Sequence, residues 1–226
     1  NLQGLLPYVE GATPGGKRTI ASLFNNLQYE YDNWLTLDAG LRYDRYRLEG
    51  QTGMTLYKRD RFYNSLVGAK RVAEVFDIDN EEGHFSPTFG IGIKPGLEWM
   101  QLYARWGKGW RPPAVTETFM TGRPHGGSSS ERVFPNPYLK AEESRDWEMG
   151  VNVFKEGLFF NDDRLGIKVA YFDTKIENFS FLNHSVSLPE TSVGGFLGTM
   201  AYVNNTAPTR FRGMEYQLNY DMGRAY

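Results

Sequence analysis

Read for its apolar and polar positions, the chain is a series of segments with a period of two. From Thr19 to Tyr31 the odd positions are mostly apolar (Ala21, Leu23, Leu27, Tyr29, Tyr31) and the even ones mostly polar (Ser22, Asn26, Gln28, Glu30), as in a strand with one greasy face. Trp34 to Leu48 sets Leu35, Leu37, Ala39, Leu41 and Tyr43 against Thr36, Asp38, Gly40, Arg42 and Asp44. Only Asp32-Asn33 separates these two runs, which specifies a tight hairpin. Further runs are expected at His84–Lys94, Trp99–Gly109, Ser144–Phe154, Leu165–Ile176 and Arg210–Tyr220, with turn residues at Lys94-Pro95-Gly96 and Asn161-Asp162-Asp163. Between them lie three long connections, about 49–83, 110–142 and 178–207.

Seven strands of about ten residues, joined by connections that go short, long, short, long, short, long, place every short turn at one end of an antiparallel sheet and every long loop at the other. A soluble β-sandwich also alternates, but its strands are ordinarily shorter and its loops are not sorted by end. Trp34, Tyr31, Trp99 and Tyr220 gather at the short-turn end, and Tyr43, Trp106 and Trp147 toward the other, as interfacial girdles do. The expected fold is therefore all-β: an antiparallel transmembrane β-barrel with short periplasmic turns and long extracellular loops. On its polar face Asp38, Arg42, Asp44, Arg105, Asp146, Glu148, Lys168 and Glu215 would point inward. A lumen with both signs of charge suits packing against a plug better than sieving ions of one sign. Seven strands do not close such a barrel, so residues 1–226 are expected to be an internal part of a larger one.

Composition narrows the partners. The 226 residues carry a formal charge of -2 and no cysteine, which argues against nucleic acid and excludes disulfides and thiolate metal sites. Asn1 to Glu10 do not read as a secretory leader, and no window is apolar enough for a membrane helix. The three histidines are scattered, and no motif pairs a Ser or Asp with any of them, so a barrel hydrolase is not expected.

The long middle connection carries the candidate chemistry. It runs from Trp110-Arg111-Pro112-Pro113 through a Gly-, Ser- and Pro-rich stretch around His125 to Asn136-Pro137-Tyr138-Leu139, and loops of that length usually bind something or are disordered. Neutral imidazole is an axial ligand of haem iron. Gly122, Gly126 and Gly127 with Ser128, Ser129 and Ser130 would let the backbone adapt. Arg123 and Arg132 could face propionates, and Phe119, Phe134 and Tyr138 could stack on a porphyrin. A lone histidine in a polar loop is commonly just solvated; its flanks are what single this one out.

Those flanks resemble the "FRAP" and "NPNL" boxes around the haem-binding external loop of TonB-dependent haem receptors, although Trp110 and Pro112 stand where the family has Phe and Ala. Ser144 to Val153, Ala170 to Thr174, Asn178 to Phe181 and Ala201 to Asn205 are similar to the same family, most of all to its haemophore-receptor branch. The resemblance spans roughly 18–226. It implies an outer-membrane receptor of a Gram-negative bacterium, with a 22-stranded barrel and an amino-terminal plug that contacts the TonB complex. It also implies haem as the transported ligand, taken from a haemophore or haemoglobin, and His125 as an iron ligand, with the second axial histidine on the plug. His84 and His184 are lesser candidates for that second ligand. The alternatives are a receptor for siderophores or another nutrient, and, from a different class, an adhesin or purely structural barrel.

Overall fold

The computed structural model describes residues 15–58, 70–122, 132–184 and 199–223. Seven strands form one antiparallel sheet: β1 (Gly16–Tyr31), β2 (Leu35–Lys58), β3 (Lys70–Ile93), β4 (Met100–Arg111), β6 (Glu142–Glu156), β7 (Arg164–Glu177) and β10 (Thr209–Asp221). Each is hydrogen-bonded to its neighbour in that order. Between β4 and β6 lie a short helix, α1 (Val115–Phe119), and β5 (Arg132–Phe134), while β8 (Ser180–His184) and β9 (Thr199–Asn204) follow β7. These three short strands make a second sheet in the order β5-β9-β8.

The expected seven-stranded antiparallel architecture is present, with the short connections at one end. Asp32 and Asn33 both adopt positive φ, 47° and 56°, and Trp34 N–H donates to the Tyr31 carbonyl, which is the twist-matched turn that joins strands without splaying them. At Asn161-Asp162-Asp163 the Asp163 carboxylate accepts from the N–H groups of Leu158, Phe159 and Phe160 and from the Tyr220 hydroxyl, so one buried side chain organises the turn.

One face of the sheet is apolar and open. Leu23, Leu27, Leu37, Leu41, Phe85, Phe89, Ile91, Leu102, Trp147, Met149, Met214, Tyr216 and Leu218 are all exposed, the reverse of a water-soluble sheet and the arrangement of a surface made for hydrocarbon. On β2 the apolar positions run from Leu35 to Tyr43. That is roughly 26 Å of strand at about 3.3 Å per residue, or roughly 20 Å along the membrane normal at a tilt of about 40°. Trp106 and Trp147 are register partners at the loop side of this belt, and Tyr31, Trp34, Trp99 and Tyr220 stand at the other. The opposite face carries the charges, with Tyr103 and Lys168 both reaching Glu148.

Three features differ from the sequence reading. The connection expected at 49–83 is mostly strand, since β2 runs to Lys58 and β3 begins at Lys70 in unbroken register. Beyond the belt the outward face of this hairpin turns polar, while its inward face holds Tyr46, Leu48 and Ile78, so the lipid-facing alternation ends. Cross-strand pairs carry the ladder instead: Arg45 with Glu81, Arg47 with Asp79 and Gln51 with Asp77. His84 consequently lies inside β3 rather than at its start. The connections 110–142 and 178–207, expected as long loops, contain α1, β5, β8 and β9, whose runs are too short to show a period.

The buried apolar residues sit at the loop end. Phe119 is 0% exposed and packs with Tyr46, Leu48 and Ile78. Gly16 and Gly50 are direct partners in the β1–β2 ladder, and a Cβ on either would come within 2.9 Å of Val115 or Phe119. The glycine pair is the floor on which the helix rests.

Candidate functional site

The residues flanking the long loop turn out to be its fasteners. Arg111 ends β4 and Glu142 begins β6 as register partners. The Arg111 guanidinium donates to both Glu142 oxygens, and its Nη1 reaches Glu117 in α1 at 2.9 and 3.1 Å. Glu142 also accepts from the Ser180 N–H at 2.8 Å, which ties in β8. Glu117 closes the helix start by accepting from the Ala114 N–H, half of a capping box. Pro112-Pro113 takes the chain off the ladder where proline can supply no donor.

Both charges are adjusted by this geometry, outside the apolar belt. Burial pushes the Glu142 carboxyl up, but hydrogen bonds from Arg111 and Ser180, with the Arg111 charge, outweigh it and hold the carboxyl below its ordinary value. The hydrogen bond to Glu142 holds Arg111 more firmly protonated. The pair forms a planar fork on a carboxylate, the geometry for which Arg is suited.

The second box works the same way. Asn136 donates its side-chain amide to the Tyr202 carbonyl at 2.9 Å, gives its backbone N–H to the Thr118 carbonyl, and accepts from the Tyr138 N–H. Asn204 bonds both polar atoms of the Lys140 backbone and the Asn178 carbonyl. Asn178, at φ 56°, donates to the Ala141 carbonyl. Together with the parallel pairing of β5 on β9, these bonds make the second and third connections one unit.

Gly122 and Val133 exchange two backbone hydrogen bonds of 3.0 and 2.7 Å. They bracket the segment that holds Arg123 and His125. Gly122 sits at φ 90°, which a side chain would strain. Thr121 and Thr52 fasten the same place to β2 through the Gly53 and Phe119 carbonyls.

The sequence candidates fare unequally. His125, Arg123 and the run 126–130 lie outside the described residues. Arg132 opens β5 opposite Thr199. Phe134 is buried in the small sheet, whereas Tyr138 is 81% exposed with its ring open to a ligand. Phe119 is wholly buried in the loop core, so it packs the loop rather than a porphyrin. His184 is exposed at the end of β8. His84 stacks on Trp110 with ring centroids 5.3 Å apart and planes 4° apart, and its Nε2 is buried without a hydrogen-bond partner among the described residues. Trp110 also meets Tyr46 edge-on, so the first box packs its Trp into the wall while its Arg fastens the loop. Beside it, a cavity of about 660 Å³ is lined by Arg18, Asp44, Ser86, Lys108, Trp110 and Pro112 among others.

Sequence reasoning missed Glu117, Glu142, Asn178 and Asn204. The available signal was an acid at the first position after the loop, facing an Arg at the last position before it.

A lipid-facing apolar belt between two aromatic girdles, with a charged opposite face and loops sorted by end, defines a transmembrane β-barrel sheet. The chain belongs to the TonB-dependent receptor β-barrel family, whose model, described as TonB dependent receptor-like, beta-barrel, matches residues 2–226. That family lies in the outer membrane of Gram-negative bacteria and consists of receptors and transporters rather than enzymes. Among solved structures the chain is similar to the Serratia marcescens hemophore receptor HasR, in complex with its hemophore HasA and heme. The TM-score is 0.81 at 48% identity, covering 93% of this chain and 33% of that one. Two relatives from Haemophilus influenzae are a probable TonB-dependent receptor, 31% identical over 51% of this chain, and heme/hemopexin utilization protein C, 25% identical over 65%. The chain spans only 12% and 21% of the length of these two.

Proposed function

We propose that this sheet is part of an outer-membrane receptor that takes haem from a carrier protein, a haemophore or haemoglobin, and passes it inward with energy relayed through TonB. The observation that carries this is the 48% identity to the hemophore receptor over 93% of the chain. In this reading the long loops face outward. The Gly122–Val133 closure presents His125 to the iron, and Arg111, Asn136 and Asn204 hold the loop in place. Arg123 and Arg132 serve the propionates, and Tyr138 supplies an aromatic face. Haem undergoes no covalent change, so holding and releasing it is the whole chemistry. The second axial ligand comes from the plug rather than from His84, whose Nε2 is shielded.

The test is spectral titration of the full-length receptor, isolated from membranes, with haem and separately with a ferric siderophore. Saturable binding of haem with a shifted absorption band supports the reading. Binding of the siderophore with no response to haem would assign the barrel to another nutrient. Binding of neither, with loss of host-cell attachment on deletion, would favour an adhesin.

A further inference from the structure

Beyond the girdle, the outward face treats charge differently at its two sides. On the β2–β3 hairpin Arg45 and Arg47 bond to Glu81 and Asp79 of the adjoining strand. On β6, β7 and β10 the pattern breaks. Arg145, Lys175 and Arg210 are successive partners across three strands, one cation about every 4.8 Å along a row of about 10 Å. Like charges placed directly opposite destabilise a ladder, so this row costs the sheet something.

The nearby acids do not balance it. Glu177 is shared between Arg145 at 3.9 Å and Lys175 at 3.6 Å. Asp173 is engaged by Arg210, and Glu143 faces Glu177 in the next row outward. Arg212, opposite Asp173, adds a further exposed cation level with Trp147. Four cations thus meet three carboxylates, and Arg145, Lys175 and Arg210 remain about half exposed. Directly beneath lie Trp106 and Trp147, then Met149, Tyr171 and Met214, the top of the apolar belt.

We propose that this row binds the phosphate groups of a phosphorylated glycolipid in the outward leaflet, a proposal that rests on the reading that the long loops are external. A phosphate can bridge two cations about 5 Å apart, and guanidinium forks match its oxygens. The acyl chains of the same molecule would lie against Met149, Tyr171 and Met214. A free phosphate ion would gain only the first of these contacts.

The experiment uses the full-length receptor in detergent, offered bisphosphorylated lipid A, the same lipid stripped of phosphate, and inorganic phosphate, with binding read by native mass spectrometry. The expected result is binding of the phosphorylated lipid about tenfold tighter than the stripped one. That preference should vanish in the Arg145→Gln, Lys175→Gln, Arg212→Gln triple variant and survive in Lys175→Arg. Glutamine relieves repulsion, so the variant folds. Equal binding of both lipids overturns the proposal, as does an unchanged preference in the triple variant or displacement of the lipid by equimolar inorganic phosphate. Haem titration of the triple variant should be unaltered, so failure here leaves the receptor reading standing. Labelling of Tyr138→Cys in intact cells checks independently that the loops are external.

Discussion

Arg111 and Glu142 face each other across the last rung before the chain leaves the barrel, and the fork of one closes on the carboxylate of the other while also holding Glu117 of α1. Three elements meet on one guanidinium, so its removal should be felt by the loops more than by the wall. Arg111→Ala leaves a largely buried carboxylate with only the Ser180 N–H, at a cost of about 1–3 kcal/mol, below that of a fully buried pair because the Arg is partly exposed. Amide exchange of the full-length receptor should speed up at 112–122 and 132–141 and stay unchanged in β6 and β7. Arg111→Lys should recover only part of the protection, since an ammonium supplies no planar fork.

The same pair sets a pH dependence. The folded Glu142 carboxyl lies below its ordinary value of 4.5. Its contribution is therefore complete above that value and fades as the pH falls through the depressed folded one. Loop protection should be flat from neutral pH to about pH 5 and decline below about 4.5. Exchange measured at pH 6 and pH 4 checks this, and Glu142→Gln should remove the difference between them.

Phe119 on its two glycines makes a packing prediction. Phe119→Ala empties a fully buried site and should cost about 3–5 kcal/mol locally. Gly16→Val pushes a side chain into Val115 and Phe119, displacing α1 without touching the belt. Protease sensitivity of the 112–122 stretch should rise in both, while the barrel keeps its heat-resistant migration on gels.

Much of the wall was legible in the sequence because Leu35 to Tyr43 and Trp147 to Val153 must show hydrocarbon a single face, and that demand writes a period of two. The Asp32-Asn33 turn was legible because few residues tolerate two consecutive positive φ values. Where the demand lapses, so does the signal. The extension of β2 to Lys58 rests on Arg47 meeting Asp79, a match between positions 32 apart that no local pattern shows. The small sheet joins residues of 132–134 to 199–201 and is too short for periodicity. For the site, Trp110-Arg111 and Asn136-Pro137 were visible as boxes, but their work as fasteners was not. It depends on Glu142, Tyr202 and Asn204 arriving from elsewhere in the chain.

Haem capture, as proposed, rests on the loop closed by Gly122 and Val133 delivering a histidine to the iron. The most direct measurement is the absorption spectrum and haem affinity of the full-length receptor carrying His125→Ala, beside His84→Ala and His184→Ala. An altered haem band and an affinity lower by about tenfold or more, worth about 1.4 kcal/mol, are expected for His125→Ala alone. An unchanged spectrum and affinity in that variant, or a loss confined to His84→Ala or His184→Ala, would contradict it.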